Sequence, residues 1–209
     1  MTTKYIFDFQ STGSVGPDIL GGKGFGLSKM TQIGIPVPPG FVVSTDACKV
    51  FYDHGNTLTD EFWQDFDTQL TVVERQTGKK FGGSVNPLLL SVRSGAPISM
   101  PGMMDTILNI GLNDESVLAL AKSSGNRHFA FDSYRRLVQM YGEVVEGIDK
   151  RVFEGVMTLV LDKELAGSPI ELSEHGLVEL VGNFKTAFEK YVGKPFPQDP
   201  HEQLHRCVM

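Results

Sequence analysis

The spacing of apolar residues divides the sequence into two parts of different character. The aromatic residues Tyr5, Phe7 and Phe9 alternate with Ile6 and Asp8, which is typical of a short strand. Residues 41–43 follow the extended, proline-rich segment 35–40 and predict a second strand. The apolar run 88–92 predicts a buried strand that ends in a polar turn. No run of comparable strand character follows residue 113.

Most other segments carry apolar residues at helical spacing, three or four residues apart. Ser44 (or Thr45) and Ser173 are expected to cap two of these helices, because a hydroxyl can accept from the first backbone N–H groups. The predicted helices cover about residues 27–33, 44–55, 59–78, 115–122, 131–145, 152–164, 173–193 and 199–209.

This distribution predicts an α+β protein with two domains. Residues 1–113 form an α/β unit, residues 114–198 form an all-helical unit, and residues 199–209 return to the first. The last helix has a strong start, with Asp199 as N-cap and Pro200 in the first turn. The sequence stops ten residues later without a C-cap, so we expect a chain that was cut within an element.

Composition narrows the possible functions. The net charge of −6 argues against broad nucleic-acid binding, which needs an excess of Lys and Arg. Cys48 and Cys207 show no metal-site spacing and suit a reducing compartment. We find no signal peptide and no apolar stretch of roughly 20 residues that could span a membrane.

The segment Gly21–Gly24 is the first candidate for chemistry, because it lies at the entry to a helix. Glycines let a backbone approach an anion closely, and the first N–H groups of a helix point towards it. Lys23 adds a positive charge. The glycine spacing is that of neither a Walker A loop nor a G-x-G-x-x-G loop, and a tight turn with an exposed lysine is the alternative.

Three further segments could contact a ligand. Arg93 follows the predicted buried strand, where a guanidinium could bind phosphate; an ordinary surface arginine is the alternative. The loop 99–106 contains Pro101-Gly102-Met103-Met104 and could close over a base, or could simply pack in the core. Arg135 and Arg136 could reach a ligand from the 131–145 helix, or belong to a solvated helix face. The histidines, including the pair His201 and His205, lack the acid or Cys neighbours of a metal or catalytic site.

Together these motifs resemble the N-terminal region of the pyruvate, phosphate dikinase family. The similar segments are Leu20–Gly24, Pro36–Phe41, Ser91–Gly95, Met100–Thr106, Phe131–Arg136 and Phe196–Pro200. The resemblance implies the first part of an ATP-grasp nucleotide-binding domain with an inserted all-helical subdomain. It also implies an ATP site that includes Lys23, Arg93, Gly102, Met103, Asp105 and Thr106.

In this family the full enzyme converts ATP, phosphate and pyruvate to AMP, pyrophosphate and phosphoenolpyruvate with Mg²⁺. The resemblance implies a homodimeric parent in the cytoplasm, a plastid or a glycosome. It places the Mg²⁺-binding acids, the phosphohistidine and the pyruvate domain outside this sequence, so we expect neither a catalytic nor a metal-binding residue here and no turnover by the chain alone. Two alternatives remain open: a natural short protein that binds a nucleotide or a partner without catalysis, and a piece of a related phosphoenolpyruvate synthase-like phosphotransferase.

Overall fold

The computed structural model describes residues 4–95 and 105–209, which form two compact units. The described part of the first unit consists of residues 4–78, 93–95 and 209. The second unit consists of Lys79–Val92 and Asp105–Val208. The structure contains helices together with small sheets, so the predicted mixture of α and β elements is confirmed.

In its described part, the first unit contains a two-stranded antiparallel sheet and three helices. Strand β1 (Ile6–Asp8) pairs with β2 (Phe41–Val43), with Phe7 opposite Val42. Helix α1 spans Pro17–Gln32, α2 spans Thr45–Asp53 and α3 spans Asp60–Thr77. These elements match the predicted strands and helices, although α1 begins ten residues earlier than the apolar spacing indicated.

The apolar core of the first unit forms between its sheet and α1. Phe7, Leu20 and Val42 are buried together. On α3, apolar residues recur at helical spacing and are buried, namely Phe62, Phe66, Leu70 and Val73. Phe66 packs edge-on against Phe41 with 5.0 Å between the ring centroids.

The second unit combines four short strands with five α-helices and one short 3-10 helix (Pro169–Glu171). Its elements are β3 (Lys80–Phe81), β4 (Pro87–Leu88), β5 (Leu90–Arg93, whose last residue belongs to the first unit), β6 (Thr106–Ile110), α4 (Ser116–Ser124), α5 (Arg127–Val144), α6 (Lys150–Glu164), α7 (Glu174–Val192) and α8 (Pro200–Val208). β3 pairs with β4 in parallel, and β5 pairs with β6.

Helix α5 lies at the centre of the helical packing and contacts α4, α6, α7 and β6. Its predicted apolar stripe is buried at Tyr134, Val138 and Tyr141. Aromatic side chains continue this core, because the Phe153 and Phe184 rings lie 5.0 Å apart between α6 and α7.

All five helices predicted after residue 113 are confirmed, since α4 to α8 cover the predicted ranges.

Side-chain caps fix the helix starts as the sequence indicated. Ser44 accepts a hydrogen bond from Ala47 N, and Ser173 accepts one from Gly176 N at 3.0 Å. At the start of α8, Asp199 Oδ1 accepts from His201 N at 2.9 Å. Each cap supplies an acceptor for an N–H group that has no partner inside its own helix.

Helix α8 is fastened within the second unit by a fully buried amide. Gln203 is 0% exposed, and its Oε1 accepts from Gly111 N at 3.0 Å. Its Nε2 donates to Leu112 O at 2.9 Å and to Pro197 O at 2.8 Å. One side chain thus satisfies three backbone groups of two other segments.

Two features differ from the expectation for the β strands. The apolar run 88–92 is not one buried strand: it is divided between β4 and β5, and the side chains of β5 are half-buried or exposed. Strands β3 and β6 were not predicted. Both are defined by pairing with a neighbouring strand, which a local pattern does not reveal.

The division into compact units also differs from the predicted boundary at residue 113. Residues 79–92 and 105–113 group with the helices, because β6 packs against α5. Residues 199–208 group with the same helices instead of returning to the first unit, since Gln203 ties α8 to the turn after β6. Among the residues described, no helix is long and apolar enough to cross a membrane.

Candidate nucleotide site

A break inside α1 creates a helix start at the glycine-rich segment. Gly21 has φ 67° and ψ 162°, whereas its neighbours are helical. This backbone conformation is essentially restricted to glycine. The helix therefore resumes at Gly22, and the first N–H groups of this second segment belong to the stretch that contains Lys23. That is the local geometry with which helices bind anions.

Gly24 allows this helix start to lie directly on the sheet. A Cβ atom at Gly24 would lie 2.8 Å from Cγ2 and 2.9 Å from Cγ1 of Val42. Real Cβ atoms essentially never come that close to other carbons. The backbone of α1 can thus approach β2 only because this position has no side chain.

Polar contacts hold α1 against the loop that follows β1. The buried hydroxyls of Thr12 and Ser28 lie 2.5 Å apart, and Ser28 Oγ donates to Phe9 O at 3.0 Å. Gln32 Nε2 donates to Thr12 Oγ1 at 3.0 Å. These bonds fix α1 along its length and hence the position of its glycine-rich start.

Lys23 reaches the backbone that directly follows Arg93. Its Nζ donates to Ser94 O at 3.1 Å, across 71 positions of sequence. Arg93 is the last residue of β5 and is exposed. Within the first unit, the segments of Lys23 and Arg93 thus lie next to each other. Each had been predicted separately from the sequence as a phosphate contact.

Two of the remaining predicted contacts, Asp105 and Thr106, lie at the start of β6. Asp105 is exposed immediately before β6, and Thr106 is the first residue of that strand and half-buried. Gly102 and Met103 lie outside the described residues.

The paired arginines of α5 have different environments. Arg135 is buried: its Nε and Nη2 donate to Asp132 Oδ1 at 2.9 and 2.8 Å, and its Nη1 donates to Gln139 at 3.0 Å. Arg136 is exposed and pairs with the second carboxylate oxygen of Asp132 at 2.8 Å. The predicted solvated helix face is therefore confirmed for Arg136. It is wrong for Arg135, whose guanidinium is buried and bonded within its own helix.

The amino-acid sequence of this chain is similar to that of known proteins. Residues 17–62 match the family described as "Pyruvate phosphate dikinase, AMP/ATP-binding domain". A pyruvate, phosphate dikinase of Entamoeba histolytica is 43% identical over 203 residues, which cover 97% of this chain and 23% of the relative. The enzyme of Rhizobium meliloti is 45% identical over 209 residues, covering 98% and 23%. The chloroplastic enzyme of Zea mays is 44% identical over 212 residues, covering 100% and 22%.

The chain is a homologue of part of pyruvate, phosphate dikinase. It spans about a quarter of the length of the dikinases that it matches. The resemblance predicted from the motifs is thereby confirmed, and the matched 17–62 segment includes both Gly21–Gly24 and Pro36–Phe41.

Two parts of the candidate site were not foreseen from the dikinase motifs. The Ser94 carbonyl that holds Lys23 is a backbone group, so its own side chain gives no signal. The contact of Gly24 with Val42 could have been suspected, since a glycine inside a helical pattern often marks close packing.

Proposed function

We propose that this chain binds ATP as part of a pyruvate, phosphate dikinase. The proposed ATP contacts are Lys23, Arg93, Gly102, Met103, Asp105 and Thr106. The observation that carries the proposal is the hydrogen bond from Lys23 to Ser94, which places the lysine beside the backbone of Arg93 in a chain homologous to the dikinase.

The chemistry of these groups suits a polyphosphate. The helix start at Gly22 presents backbone N–H groups, the Lys23 ammonium is a mobile point charge, and the Arg93 guanidinium can form two parallel hydrogen bonds to phosphate oxygens. In phosphoryl transfer the protein contributes mainly by positioning and by neutralising the developing charge. We assign this role to Lys23 and Arg93.

In the proposed parent enzyme, ATP, phosphate and pyruvate give AMP, pyrophosphate and phosphoenolpyruvate. The chain would form the first part of an ATP-grasp domain with a helical subdomain. Mg²⁺ would neutralise phosphate charge in that enzyme. Because the resemblance places the Mg²⁺-binding acids outside this sequence, we expect the chain alone to bind ATP weakly and to turn nothing over.

The remaining partners follow from the same proposal. They are the other domains of the parent and a second subunit of a homodimer, with neither nucleic acid nor membrane involved. A cytoplasmic or plastid location suits the proposal, and the similar enzyme of Zea mays is described as chloroplastic.

Calorimetric titration with ATP tests the assignment of Lys23. We expect Lys23→Gln to weaken binding about tenfold or more, because a hydrogen bond to a charged group contributes about 1.5–3 kcal/mol. Lys29→Gln is the matched control, since Lys29 is an exposed lysine on the same helix. Equal affinity of the two variants would exclude the proposed role of Lys23.

A further inference from the structure

Two side-chain hydroxyls fasten α1 on either side of its break at Gly21. Before the break, Thr45 Oγ1 donates to Asp18 O at 2.6 Å. After the break, Ser28 Oγ donates to Phe9 O at 3.0 Å. Each bond joins α1 to another part of the first unit, since Thr45 is the first residue of α2 and Phe9 lies in the loop after β1. The two segments of α1 are therefore tied down separately.

The bond after the break is the end of a directed chain of hydrogen bonds. The single proton of the Ser28 hydroxyl goes to Phe9 O, so the proton shared by Thr12 and Ser28 comes from Thr12. Gln32 Nε2 donates in turn to Thr12 Oγ1 at 3.0 Å. Ser28 is 1% and Thr12 is 3% exposed, so water cannot replace a lost partner without opening the structure.

These outside bonds matter because the helix itself is interrupted. The bonds between successive turns keep the two ends of a helix in line, and a break weakens that link. Gly21 interrupts α1 with φ 67° and ψ 162°, and glycine resists backbone rotation least. Lys23 lies two residues beyond this break, and its Nζ donates to Ser94 O at 3.1 Å. The direction of Lys23 thus depends on what holds each segment from outside.

We propose that Thr45 and Ser28 are positioning residues, which hold the Lys23 ammonium beside Ser94 O, where it meets phosphate. The role in phosphate binding rests on the proposed function of Lys23. Both hydroxyls act through the backbone of α1, because Asp18 lies five residues before Lys23 and Ser28 five residues after it. A displaced ammonium loses affinity steeply, since hydrogen bonds between charged groups need lengths of about 2.7–2.9 Å.

Single substitutions separate the hydroxyls from the shapes of their side chains. Thr45→Val keeps the shape and removes the hydroxyl, whereas Thr45→Ser keeps the hydroxyl. Ser28→Ala removes the second hydroxyl. Thr31→Ala is the matched control, because Thr31 Oγ1 donates to Leu27 O within α1 itself at 2.9 Å. Urea unfolding shows which variants are folded, and the two sites provide independent tests.

Calorimetric titration with ATP measures the effect on binding. We expect Thr45→Val and Ser28→Ala each to weaken binding about threefold to tenfold, which is no more than Lys23→Gln does. Thr45→Ser and Thr31→Ala should bind like the parent chain. When Lys23 is already glutamine, Thr45→Val and Ser28→Ala should change the affinity by less than about twofold. A purely structural role would weaken binding equally in both backgrounds.

Brief acetylation with acetic anhydride reports on Lys23 without ATP. Mass spectrometry gives the labelling rate of Lys23 relative to Lys190, an exposed lysine of the second unit. Lys23 must release Ser94 O before its nitrogen reacts. We therefore expect Thr45→Val and Ser28→Ala to raise this relative rate about twofold or more, and Thr45→Ser and Thr31→Ala to leave it unchanged.

Three results would overturn the proposal. They are an unchanged labelling rate of Lys23 in folded Thr45→Val and Ser28→Ala, an equal loss of ATP affinity with and without Lys23, and a Thr45→Ser variant that behaves like Thr45→Val. If Lys23→Gln itself leaves the ATP affinity unchanged, the proposed function fails. The labelling rates still decide in that case whether the two hydroxyls hold Lys23.

Discussion

Replacing Gly24 by alanine adds one methyl group at the point where α1 lies on β2. That group would lie 2.8 and 2.9 Å from the two γ carbons of Val42. Carbon atoms in favourable contact are about 3.5–4.0 Å apart, so helix and strand must separate by roughly 0.6 Å or more. The displaced element is the helix start that carries Lys23.

Two opposing terms set the size of the effect. Overpacking of this kind costs about 1–3 kcal/mol, whereas alanine is favoured over glycine inside a helix by about 1 kcal/mol. We expect Gly24→Ala to lower the free energy of unfolding by up to about 2 kcal/mol. Gly26→Ala is the matched control, because a Cβ atom at Gly26 in the same helix meets nothing within 4 Å. This control should gain about 1 kcal/mol from helix propensity alone.

The difference between the two alanine variants then isolates the contact with Val42, since the propensity term is common to both. Urea unfolding followed by tryptophan fluorescence measures this difference in unfolding free energy. The signal reports on the first compact unit, because the single tryptophan, Trp63, lies on its helix α3. We expect the control to be the more stable variant by about 1–3 kcal/mol.

A double-mutant cycle provides the decisive comparison. Val42→Ala removes both γ carbons, so adding Gly24→Ala to it should cost much less than the same change in the parent chain. The contact with Val42 would be excluded as the cause if Gly24→Ala stabilised the chain as much as Gly26→Ala does. An unchanged cost of Gly24→Ala in the Val42→Ala background would exclude it as well.

Three further predictions concern other parts of the chain. Gln203→Leu should destabilise the second unit by about 3 kcal/mol or more, because three buried backbone groups lose their hydrogen-bond partner. Urea unfolding followed by circular dichroism measures this loss, and a loss below about 1 kcal/mol would contradict the prediction. Hydrogen bonds from the Ser173 hydroxyl and N–H hold the pKa of Glu164 below its ordinary value of 4.5. The contribution of these bonds to stability is therefore present above pH 4.5 and is lost as the pH falls through the lowered pKa. The difference in unfolding free energy between the parent chain and Glu164→Gln should therefore shrink on acidification, and a constant difference would refute the linkage. In the proposed parent enzyme, Arg93→Ala should impair isotope exchange in the step that uses ATP and spare exchange in the step that uses pyruvate. Equal loss in both steps would indicate misfolding.

The sequence predicted helices well because their signals are local. The hydroxyl caps Ser44 and Ser173 and the apolar stripe of α5 each depend on residues within a few turns of one another. The strands were harder to predict, because β3 and β6 are defined by pairing with a neighbouring strand, which a local pattern does not reveal. The prediction that residues 88–92 are buried was wrong, because apolar character alone does not tell which strand of a small sheet is covered.

The candidate site shows a similar limit. The motif around Lys23 could be recognised from the types of its residues, and so could Arg93. Their proximity, however, depends on a hydrogen bond across 71 positions to the carbonyl of Ser94, which no local pattern encodes. The break of α1 at Gly21 was also hidden, since glycine is compatible with either a turn or a helix.

The break at Gly21 also restricts how this segment can evolve. At φ 67° and ψ 162° any residue with a side chain is strongly disfavoured, so Gly21 should be invariant among natural variants of this chain. Gly24 should be nearly as constant because of its contact with Val42, whereas Gly26 faces open space and is free to drift. Sequencing of natural variants should therefore reveal a glycine-rich segment in which selection acts on some glycines and ignores others.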